Sequence, residues 1–591
     1  MVILAIPKIK SMKALRCISI LCMLLVVASF NSCKDDDDKS VSGITDQSWQ
    51  KGRALEITLG KELSVSFNAN GDWEAASGSE WCKLLDTEGK SGKSTLRIMT
   101  ATTTNASRTA TITVKVKGYD SESFLVIQNE TGDAVSEDME INVQVDQYLR
   151  EMYLWNDEYK TLQLDFTKDY MSFFYDALGS MKTNTLDKKF TSPGEYRIFS
   201  FIEKKNSIAS SRSTKIVEKE LEYSFGITGV TPLYVEDNVY NFCIQGVYAN
   251  SPAKAAGLKR GSIITQINGG NLTSGNVNDY YMKLLYPSSV ATLQITDYDH
   301  KQTSITSTPM YVDPVILKQV KELNGHRIGY LVYSSFDAAF DEELFEAFKY
   351  FKSQNITDLI LDLRYNGGGH TMSANLIASC IVGASATNKV FSSLRYNATR
   401  MKAMNDKRDD QYFMYDNYPN LGISLAAGDL GLTHVYCLVG SGTASSSELV
   451  INSLRGINVE VTLIGEKTTG KNVGMEPEMI TAKGNTYILY PITFQSYNAK
   501  GFGDYEAGFI PDKGMDESDP FGEEEVFYVY REYGSDREFL YAEAVKMITG
   551  IDILPQSRSI AAYSIKGKKQ KMRTPVKHGF DGMIKIPLEQ Y

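Results

Sequence analysis

The pattern of apolar and polar positions divides the chain into stretches of different period. Between residues 51 and 131, apolar and polar side chains alternate in short runs that turn residues separate, as in Leu63–Phe67, Ala110–Val116 and Phe124–Gln128. Alternation places every second side chain on one face of a strand. This stretch therefore predicts a β-sandwich that folds as a unit of its own.

A helical period replaces the alternation in residues 133–215. The stretches INVQVDQYLREMYLWNDEY and DYMSFFYDAL carry apolar residues at helical spacing, which predicts helices. The polar, Ser-rich residues 204–219 that follow predict a mobile connection.

Residues 315–555 alternate between apolar strands and amphipathic helices, which predicts an α/β domain with a largely parallel sheet. We expect strands at His326–Tyr333, Leu359–Leu363, Val435–Val439, Val459–Ile464 and Tyr487–Thr493. We expect helices at Asp341–Gln354, Met372–Val382, Ala444–Leu454 and over REFLYAEAVKMI. The basic tail, residues 556–591, is weakly patterned and predicts only a short strand at Met583–Pro587.

The N-terminus has the pattern of a targeting segment. Lys13 and Arg16 precede the apolar stretch Cys17–Phe30, which is too short to span a membrane comfortably. Small residues before Cys33 resemble a bacterial lipoprotein cleavage site, so we predict a signal peptide over 1–33 and lipidation of Cys33. An ordinary secretory signal is the alternative. Residues 34–50 are expected to form a linker. The acidic run that opens it resembles the surface-export signals of some Gram-negative lipoproteins. We therefore predict that the protein is located in the bacterial envelope, with the outer membrane favoured.

Composition narrows the function classes. The 591-residue chain carries a net charge of −10 and a pI near 5.3, which argues against nucleic acid as a partner. Cys82, Cys243, Cys380 and Cys437 lie beyond the signal segment without CxxC spacing. We therefore expect no disulfide framework, metal site or cofactor, and we expect these thiols to be buried.

Candidate chemistry concentrates between Val435 and Lys471. The predicted strand ends at Gly440 and Gly442, and Ser445 follows at the turn into a helix, where backbone N–H groups converge. Lys471 is the candidate base, because burial away from water depresses the pKa of a lysine. Glu448 lies three positions after Ser445, on the same helix face. The alternative is a capping box, in which Ser445 and Glu448 only satisfy the N–H groups that begin the helix.

Histidine offers a competing mechanism, because His370 and His434 flank the same region. His434 is expected at the far end of its strand from Ser445. His370 is expected to be a loop residue that caps the next helix. Arg364 and Asn472 are expected to fix the loops around the site.

Three motifs in order resemble the signature of S41 peptidases, the C-terminal processing proteases. These are Asp362–Gly369 (DLRYNGGG), Thr443–Glu448 (TASSSE) and Thr468–Lys471 (TTGK). The resemblance covers roughly residues 135–550 and implies a ClpP/crotonase-like α/β core at 315–555, preceded by a helical region at 133–215. It implies that Ser445 is the nucleophile, Lys471 the general base and Glu448 the third catalytic residue, with oxyanion donors at Gly368 and Ser446.

The chain departs from that signature in two places. Ser446 stands where the family usually has Ala, and the interval from Ser445 to Lys471 is 26 positions, about one longer than is common. Neither departure removes a group that acyl transfer requires.

Two further stretches resemble binding modules. Residues 220–312 resemble a PDZ domain through Tyr223-Ser224-Phe225-Gly226-Ile227 and SPAKAAGLKRGSIITQING (251–269). This resemblance implies that the first motif captures a peptide C-terminus and pairs its strand with a sheet edge. The alternative is an internal structural module that only gates the site. Residues 51–131 resemble a BACON domain through DWEAASGSEWCKL and NASRTATITV, which implies a glycan contact. We favour a spacer there, because Trp73 and Trp81 are expected in the core.

The sequence thus predicts a multidomain α/β protein: a lipid-anchored, extracytoplasmic serine endopeptidase that acts on protein or peptide substrates. It would contact the membrane through its lipid anchor only. The alternatives are an inactive surface lipoprotein that binds peptide or glycan, and a scaffold that acts through its PDZ-like module alone.

Overall fold

The computed structural model describes residues 42–51, 53–104, 106–129, 136–192, 195–205, 217–404, 410–419, 421–519, 526–555, 564–569 and 583–586. They form two compact units. The first runs to residue 132 apart from 101–103, and the second contains the rest of the chain.

The first unit is a sandwich of two sheets with strand orders β1-β3-β7-β5 and β2-β9-β8-β4-β6. Its strands are β1 (Ile44–Thr45), β2 (Leu55–Glu56), β3 (Leu63–Ala69), β4 (Trp73–Ser77), β5 (Lys83–Leu84), β6 (Glu88–Gly89), β7 (Gly92–Met99), β8 (Arg108–Val116) and β9 (Glu122–Gln128). The three strands predicted from alternation are confirmed as β3, β8 and β9. Their inward-facing residues, such as Val65, Phe67 and Ile112, form the core of this unit.

This sandwich begins before the predicted boundary at residue 51. Ile44 and Trp49 are both 4 % exposed and belong to the core, so residues 42–50 are not a linker. Trp73 is buried as expected, and its indole N–H donates to Ser94 Oγ at 2.9 Å. Trp81 is only partly buried, and the Arg108 guanidinium lies over its ring at 4.5 Å.

The second unit opens with the predicted helices. Ser136 caps the first of them, since its hydroxyl accepts from the Met139 N–H at 3.1 Å. Three strands that the helical pattern did not predict follow, and the last pairs with a strand nearly 300 residues later. The predicted mobile connection at 204–219 falls largely on residues outside the described ones. The elements are α1 (Glu137–Met152), α2 (Asn156–Tyr159), α3 (Tyr170–Ser180), β10 (Lys188–Ser192), β11 (Glu195–Ile198) and β12 (Phe201–Lys204).

Residues 220–312 form a sheet of order β19-β18-β16-β17-β15-β14, with a separate β13–β20 pair. The helix α5 packs against β14. The elements are β13 (Glu222–Ser224), β14 (Ile227–Glu236), β15 (Val239–Val247), α4 (Pro252–Ala255), β16 (Ile263–Ile267), β17 (Gly270–Thr273), α5 (Val277–Leu285), β18 (Thr292–Asp297), β19 (Gln302–Thr306) and β20 (Thr308–Met310).

The core of the second unit is a sheet of order β21-β22-β23-β29-β30-β35, parallel from β22 onward. Successive strand residues point to opposite faces of the sheet. Leu331 and Leu361 face the helices α6 (Asp341–Ser353), α7 (Thr371–Val382) and α9 (Ser446–Gly456). Tyr330 and Ile360 face the helix α10 (Phe539–Thr549). The elements up to β28 are β21 (Val315–Leu323), β22 (His326–Tyr333), α6 (Asp341–Ser353), β23 (Asp358–Asp362), β24 (Gly369–His370), α7 (Thr371–Val382), β25 (Val390–Arg395), α8 (Ala398–Met404), β26 (Gln411–Phe413), β27 (Asn417–Tyr418) and β28 (Ile423–Ser424).

A second sheet, of order β24-β39-β31-β34-β25-β26, lies beside the first. The single strand predicted at Tyr487–Thr493 is two strands, because Pro491 lies between them and has no N–H for a ladder. The remaining elements are β29 (His434–Val439), α9 (Ser446–Gly456), β30 (Glu460–Gly465), β31 (Val473–Met475), β32 (Glu478–Ala482), β33 (Asn485–Tyr490), β34 (Ile492–Tyr497), β35 (Lys513–Gly514), β36 (Val526–Tyr528), α10 (Phe539–Thr549), β37 (Ser564–Lys566), β38 (Lys568–Lys569) and β39 (Met583–Ile584).

Two strands of the tail pair with strands of these sheets. Its strand β38 pairs with β14, and β39 pairs with β24 and β31, so the short strand predicted at Met583–Pro587 is confirmed in its first two residues. Among the described residues, no helix combines the length and apolar content needed to cross a bilayer. The predicted signal peptide and Cys33 lie outside the described residues.

Candidate active site

Ser445 lies where the chain passes from β29 into α9. Its backbone has φ 59° and ψ −109°, a conformation that L-residues rarely adopt and that costs of order 1–3 kcal/mol. The side chain is fully buried, and no residue that the structure describes hydrogen-bonds its Oγ. The α9 helix begins at Ser446, two residues later than predicted, and this leaves Ser445 at the strained turn.

Glu448 joins the segments that carry Ser445 and Lys471. Its Oε2 accepts from the backbone N–H of Ser445 at 2.9 Å and from that of Lys471 at 2.8 Å. Its Oε1 accepts from the Gly470 N–H at 2.7 Å and the Thr468 hydroxyl at 2.5 Å. Because both N–H groups donate to the same oxygen, the backbone nitrogens of Ser445 and Lys471 lie close to each other. The bond from Ser445 is the carboxylate half of a capping box.

Burial raises the pKa of Glu448, and the four hydrogen bonds act against that rise. Because every donor comes from Ser445 or from Thr468–Lys471 (the base loop), the carboxylate holds that loop against the helix start.

Lys471 is buried beside an aromatic ring from a distant segment. Its side chain is 3 % exposed, and Nζ lies 4.7 Å from the centroid of the Phe199 ring. Asp187 is close enough for the Lys471 charge to oppose the effect of burial, which raises the pKa of Asp187. The Asp187 carboxylate accepts from the Tyr153 hydroxyl at 2.7 Å and the Ser200 hydroxyl at 2.6 Å.

Lys189 holds the outer side of the base loop. Its Nζ donates to the Gly470 carbonyl at 3.2 Å and also to the Glu506 carbonyl. Burial lowers the pKa of Lys189, while the Glu448 charge acts to raise it.

The Gly-rich turn, residues 362–369, has backbone geometry that requires glycine. Gly368 and Gly369 have φ of 113° and 130°, and a Cβ on Gly369 would lie 2.3 Å from the Phe336 carbonyl oxygen. The Gly368 N–H donates to Asn366 Oδ1 at 2.9 Å. One of the two predicted oxyanion donors is therefore engaged within its own turn in this structure.

Two serines of the TASSSE motif join the Gly-rich turn to α9. The Ser446 hydroxyl donates to the Gly369 carbonyl at 2.6 Å, and the Ser447 hydroxyl donates to the Asn366 carbonyl at 2.9 Å. The serine that replaces the usual alanine thus adds a bond between the segments that carry the two predicted oxyanion donors.

Arg364 and Asn472 fix loops, as predicted. Arg364 is buried and pairs with Asp362, Glu517 and Glu538 at 2.6 Å each. Glu517 also pairs with Arg260 at 2.8 Å, so one carboxylate joins the Gly-rich turn to the 220–312 region. Asn472 Nδ2 donates to the Gly503 carbonyl at 2.7 Å.

Among the described residues, neither histidine hydrogen-bonds the Ser445 hydroxyl. His434 lies at the start of β29, at the opposite end from Ser445, and bonds the Thr462 hydroxyl at 2.8 Å. His370 is the N-cap residue of α7, as predicted, but its side chain makes no capping hydrogen bond to that helix. Its Nδ1 accepts from the Ala338 N–H at 3.0 Å, and burial lowers its pKa to about 4, so it stays neutral.

The predicted peptide-capture motif, Tyr223–Ile227, contains a hydrogen bond between two of its own residues. Tyr223 and Ser224 belong to β13, Phe225 is buried, and Ile227 begins β14. The Gly226 N–H donates to Ser224 Oγ at 2.9 Å. A Cβ on Gly226 would lie 1.9 Å from that of Ser251, so only glycine fits there.

Sequence reasoning missed several residues near the site. Asn366 and Thr468 lie inside the motifs and could have been found from their hydrogen-bonding side chains. Phe199, Asp187 and Lys189 come from a segment predicted to be helical, and nothing in their local pattern relates them to Lys471. Within the described part of the chain, no group of three His, Cys, Asp or Glu residues could hold a metal ion.

Two segments of the chain match models of known protein families. Residues 327–513 match the family model "Peptidase family S41", and residues 71–129 match the BACON model, described as "Putative binding domain, N-terminal". Part of the chain, residues 327–513, is therefore similar to the S41 peptidases, and a segment similar to the BACON domain precedes it.

Particular relatives cover different shares of the chain. Over 138 residues it is 29 % identical to the carboxy-terminal processing protease CtpB of Bacillus subtilis, which is 23 % of this chain and 28 % of that protein. A solved structure described as "Putative S41 protease" of Bacteroides fragilis is 26 % identical with a TM-score of 0.53, and the match covers 69 % of this chain and 97 % of that one. The photosystem II D1 C-terminal processing protease is 17 % identical with a TM-score of 0.34, over 65 % and 94 % of the two chains.

Proposed function

We propose that the protein is a serine endopeptidase of the C-terminal processing type in which Ser445 is the nucleophile and Lys471 the general base. One observation carries the proposal: Glu448 Oε2 accepts from the backbone N–H groups of both residues. Ser445 has the strained backbone of a nucleophile turn, and its hydroxyl makes no bond to a described residue that would have to be broken.

In this mechanism the Lys471 amine takes the proton of the Ser445 hydroxyl as Oγ attacks the scissile carbonyl. The C–N bond then breaks, the protonated lysine returns the proton to the leaving amine, and water hydrolyses the acyl-enzyme. The Ser446 and Gly368 N–H groups would bind the oxyanion. The Gly368 N–H must first exchange its bond to Asn366 for one to substrate.

The substrates are proteins or peptides, and residues 220–312 act as a PDZ module that recognises peptide C-termini or gates the site. The buried Arg260–Glu517–Arg364 contacts support this role, because they join that region to the Gly-rich turn. Peptide entry at β14 requires the Gly226 N–H to leave Ser224.

The protein acts outside the cytoplasm, anchored through a lipid on Cys33 in the bacterial envelope. The n-region, the apolar stretch and the cysteine at its end support this localisation. The BACON domain would serve as a spacer or contact glycan, and the lipid would be the membrane contact.

The alternative is an inactive surface lipoprotein that binds peptide or glycan. The engagement of the Gly368 N–H by Asn366 favours it, because an inactive protein has no need for a free oxyanion donor. The buried Ser445, Glu448 and Lys471 disfavour it.

Casein hydrolysis and labelling by a fluorophosphonate probe test the proposal. Ser445→Ala and Lys471→Met should each lower hydrolysis by at least about 1000-fold. Ser445→Ala should also abolish labelling. The matched controls Ser441→Ala and Lys467→Met, at exposed positions, should keep both. Equal hydrolysis by all variants would eliminate the dyad, and an unlabelled, inactive wild type would favour the binding lipoprotein.

A further inference from the structure

The chain's own tail fills a gap between the two segments that carry the proposed catalytic machinery. The strand β24 begins directly after Gly368, and β31 begins two residues after Lys471. These strands do not pair with each other, since β39 lies between them and pairs with both. We call the space between β24 and β31 the strand slot.

The tail occupies the strand slot through main-chain pairing. Gly369 pairs with Met583, and Ile584 pairs with both His370 and Met475, all in parallel register. The Lys585 N–H continues the ladder by donating to the Met475 carbonyl at 2.9 Å. Main-chain pairing of this kind accepts any extended segment whose side chains fit.

Side-chain contacts in the strand slot select a particular pattern. Met583, Ile584 and Ile586 are each less than 5 % exposed. Between them, Lys585 Nζ donates to the Tyr396 hydroxyl at 2.7 Å and to Glu476 Oε1 at 3.0 Å. The slot therefore receives two apolar side chains, a basic one and a further apolar one.

A substrate must pass through the same space. Its scissile carbonyl has to reach Ser445 Oγ and the N–H groups of Gly368 and Ser446, so its backbone runs beside the strands that leave Gly368 and Lys471. A second strand cannot pair there at the same time, because β39 already pairs with both β24 and β31.

We infer that the strand slot is the substrate-binding subsite, that it takes extended peptides of the pattern apolar-apolar-basic-apolar, and that Met583–Ile586 is its competing internal occupant. Glu476 and Tyr396 recognise the basic side chain. The tail holds the peptidase in a low-activity state until it leaves or a substrate displaces it. This inference rests on the proposed peptidase function of the same site.

Peptide binding in an inactive background tests the subsite apart from catalysis. The probe is the fluorescein-labelled nonapeptide of residues 583–591, and the protein is Ser445→Ala with or without those residues. Fluorescence polarisation should show at least about tenfold tighter binding to the truncated chain. A peptide with Glu in place of Lys585, or the truncated chain with Glu476→Gln, should lose at least about tenfold. Equal binding to both chains, or indifference to the charge changes, would overturn the inference.

A full-length pair guards against loss of folding, because truncation removes an internal strand of a sheet. Lys585→Glu should raise both peptide binding and casein hydrolysis several-fold, whereas Lys568→Glu, an exposed tail position outside the slot, should change neither. No rise in binding in a folded Lys585→Glu chain would also overturn the inference. Tight peptide binding without hydrolysis by any variant would instead refute the proposed peptidase activity, so the two failures are distinguishable.

Discussion

At the scale of single residues, Glu448 has a larger role than that of the glutamate in an ordinary capping box. A capping glutamate satisfies the N–H groups at its own helix start, but this carboxylate also accepts from Gly470, Lys471 and Thr468. Each carboxylate oxygen accepts from two donors, so an NH₂ group in place of either oxygen would lose two hydrogen bonds. In the proposed mechanism Glu448 acts through Ser445 and Lys471, which makes it a positioning residue.

Glu448→Gln should lower kcat by about 100-fold with little change in KM, because an NH₂ group would face two donors and displace the base loop. The pH profile separates this role from general destabilisation. Since burial raises the pKa of Glu448, wild-type kcat should fall on the acid side at a pH above the usual glutamate range. The variant should lack that limb, and an unchanged acid limb would contradict the role.

Ser446 shows a limit of motif comparison at this scale. From the motif alone, its hydroxyl is a departure from the family's alanine. In the structure it donates to the Gly369 carbonyl. A sequence names the residue but not its partner 77 positions away, because such a contact depends on how two turns approach each other.

At the scale of elements, long apolar runs were predicted well and short strands were not. The predicted ranges agree within one residue for the strands β22, β23 and β29 and for the helices α6 and α7. These elements were predictable because their burial against the same sheet gives their apolar residues a regular spacing along the sequence. The strands β10–β12 were missed: β10 and β11 form a short hairpin with each other inside a stretch predicted to be helical, and β12 pairs with β33, which lies far away in sequence. For the site, the motifs predicted Ser445, Glu448 and Lys471, whereas Phe199 and Lys189 approach only through tertiary packing.

The Gly-rich turn is the element whose geometry is least tolerant of change. Gly369→Ala should lower stability by at least about 2 kcal/mol, because a Cβ would meet the Phe336 carbonyl at 2.3 Å on a backbone with φ 130°. Differential scanning calorimetry should record a lower melting temperature, and fluorophosphonate labelling should fall with it.

Gly514→Ala is the matched control, because a Cβ there meets nothing within 4 Å. It should leave the melting temperature and the labelling unchanged. Equal behaviour of the two variants would show that the turn relaxes around an added methyl group.

At the scale of the whole molecule, a buried charge cluster joins regions that are distant in sequence. Burial acts to raise the pKa of Glu517, but the charges of Arg364 and Arg260, together with the Tyr365 hydroxyl, outweigh it and hold the pKa at about 2. A carboxyl whose folded pKa is depressed stabilises the fold above its unfolded pKa, and that stabilisation is lost as the pH falls toward the folded value.

Glu517→Gln should therefore cost about 3 kcal/mol at pH 7, and its difference from wild type should shrink as the pH falls from about 4.5 toward 2. Calorimetric melting of both chains at pH 7 and pH 3 measures the difference. Glu532→Gln, at an exposed position, should match wild type at both values. A difference independent of pH would mean that Glu517 acts through packing alone.

The four buried cysteines give the molecule a set of internal reporters. Cys82 lies in the sandwich, Cys243 in β15, Cys380 in α7 and Cys437 in β29, all free. Burial raises the pKa of every one of these thiols, so alkylating reagents reach a reactive thiolate only when the surrounding part opens. The order in which the four sites are alkylated under mild denaturation would therefore give the order in which the parts of this chain come apart, without any engineered label.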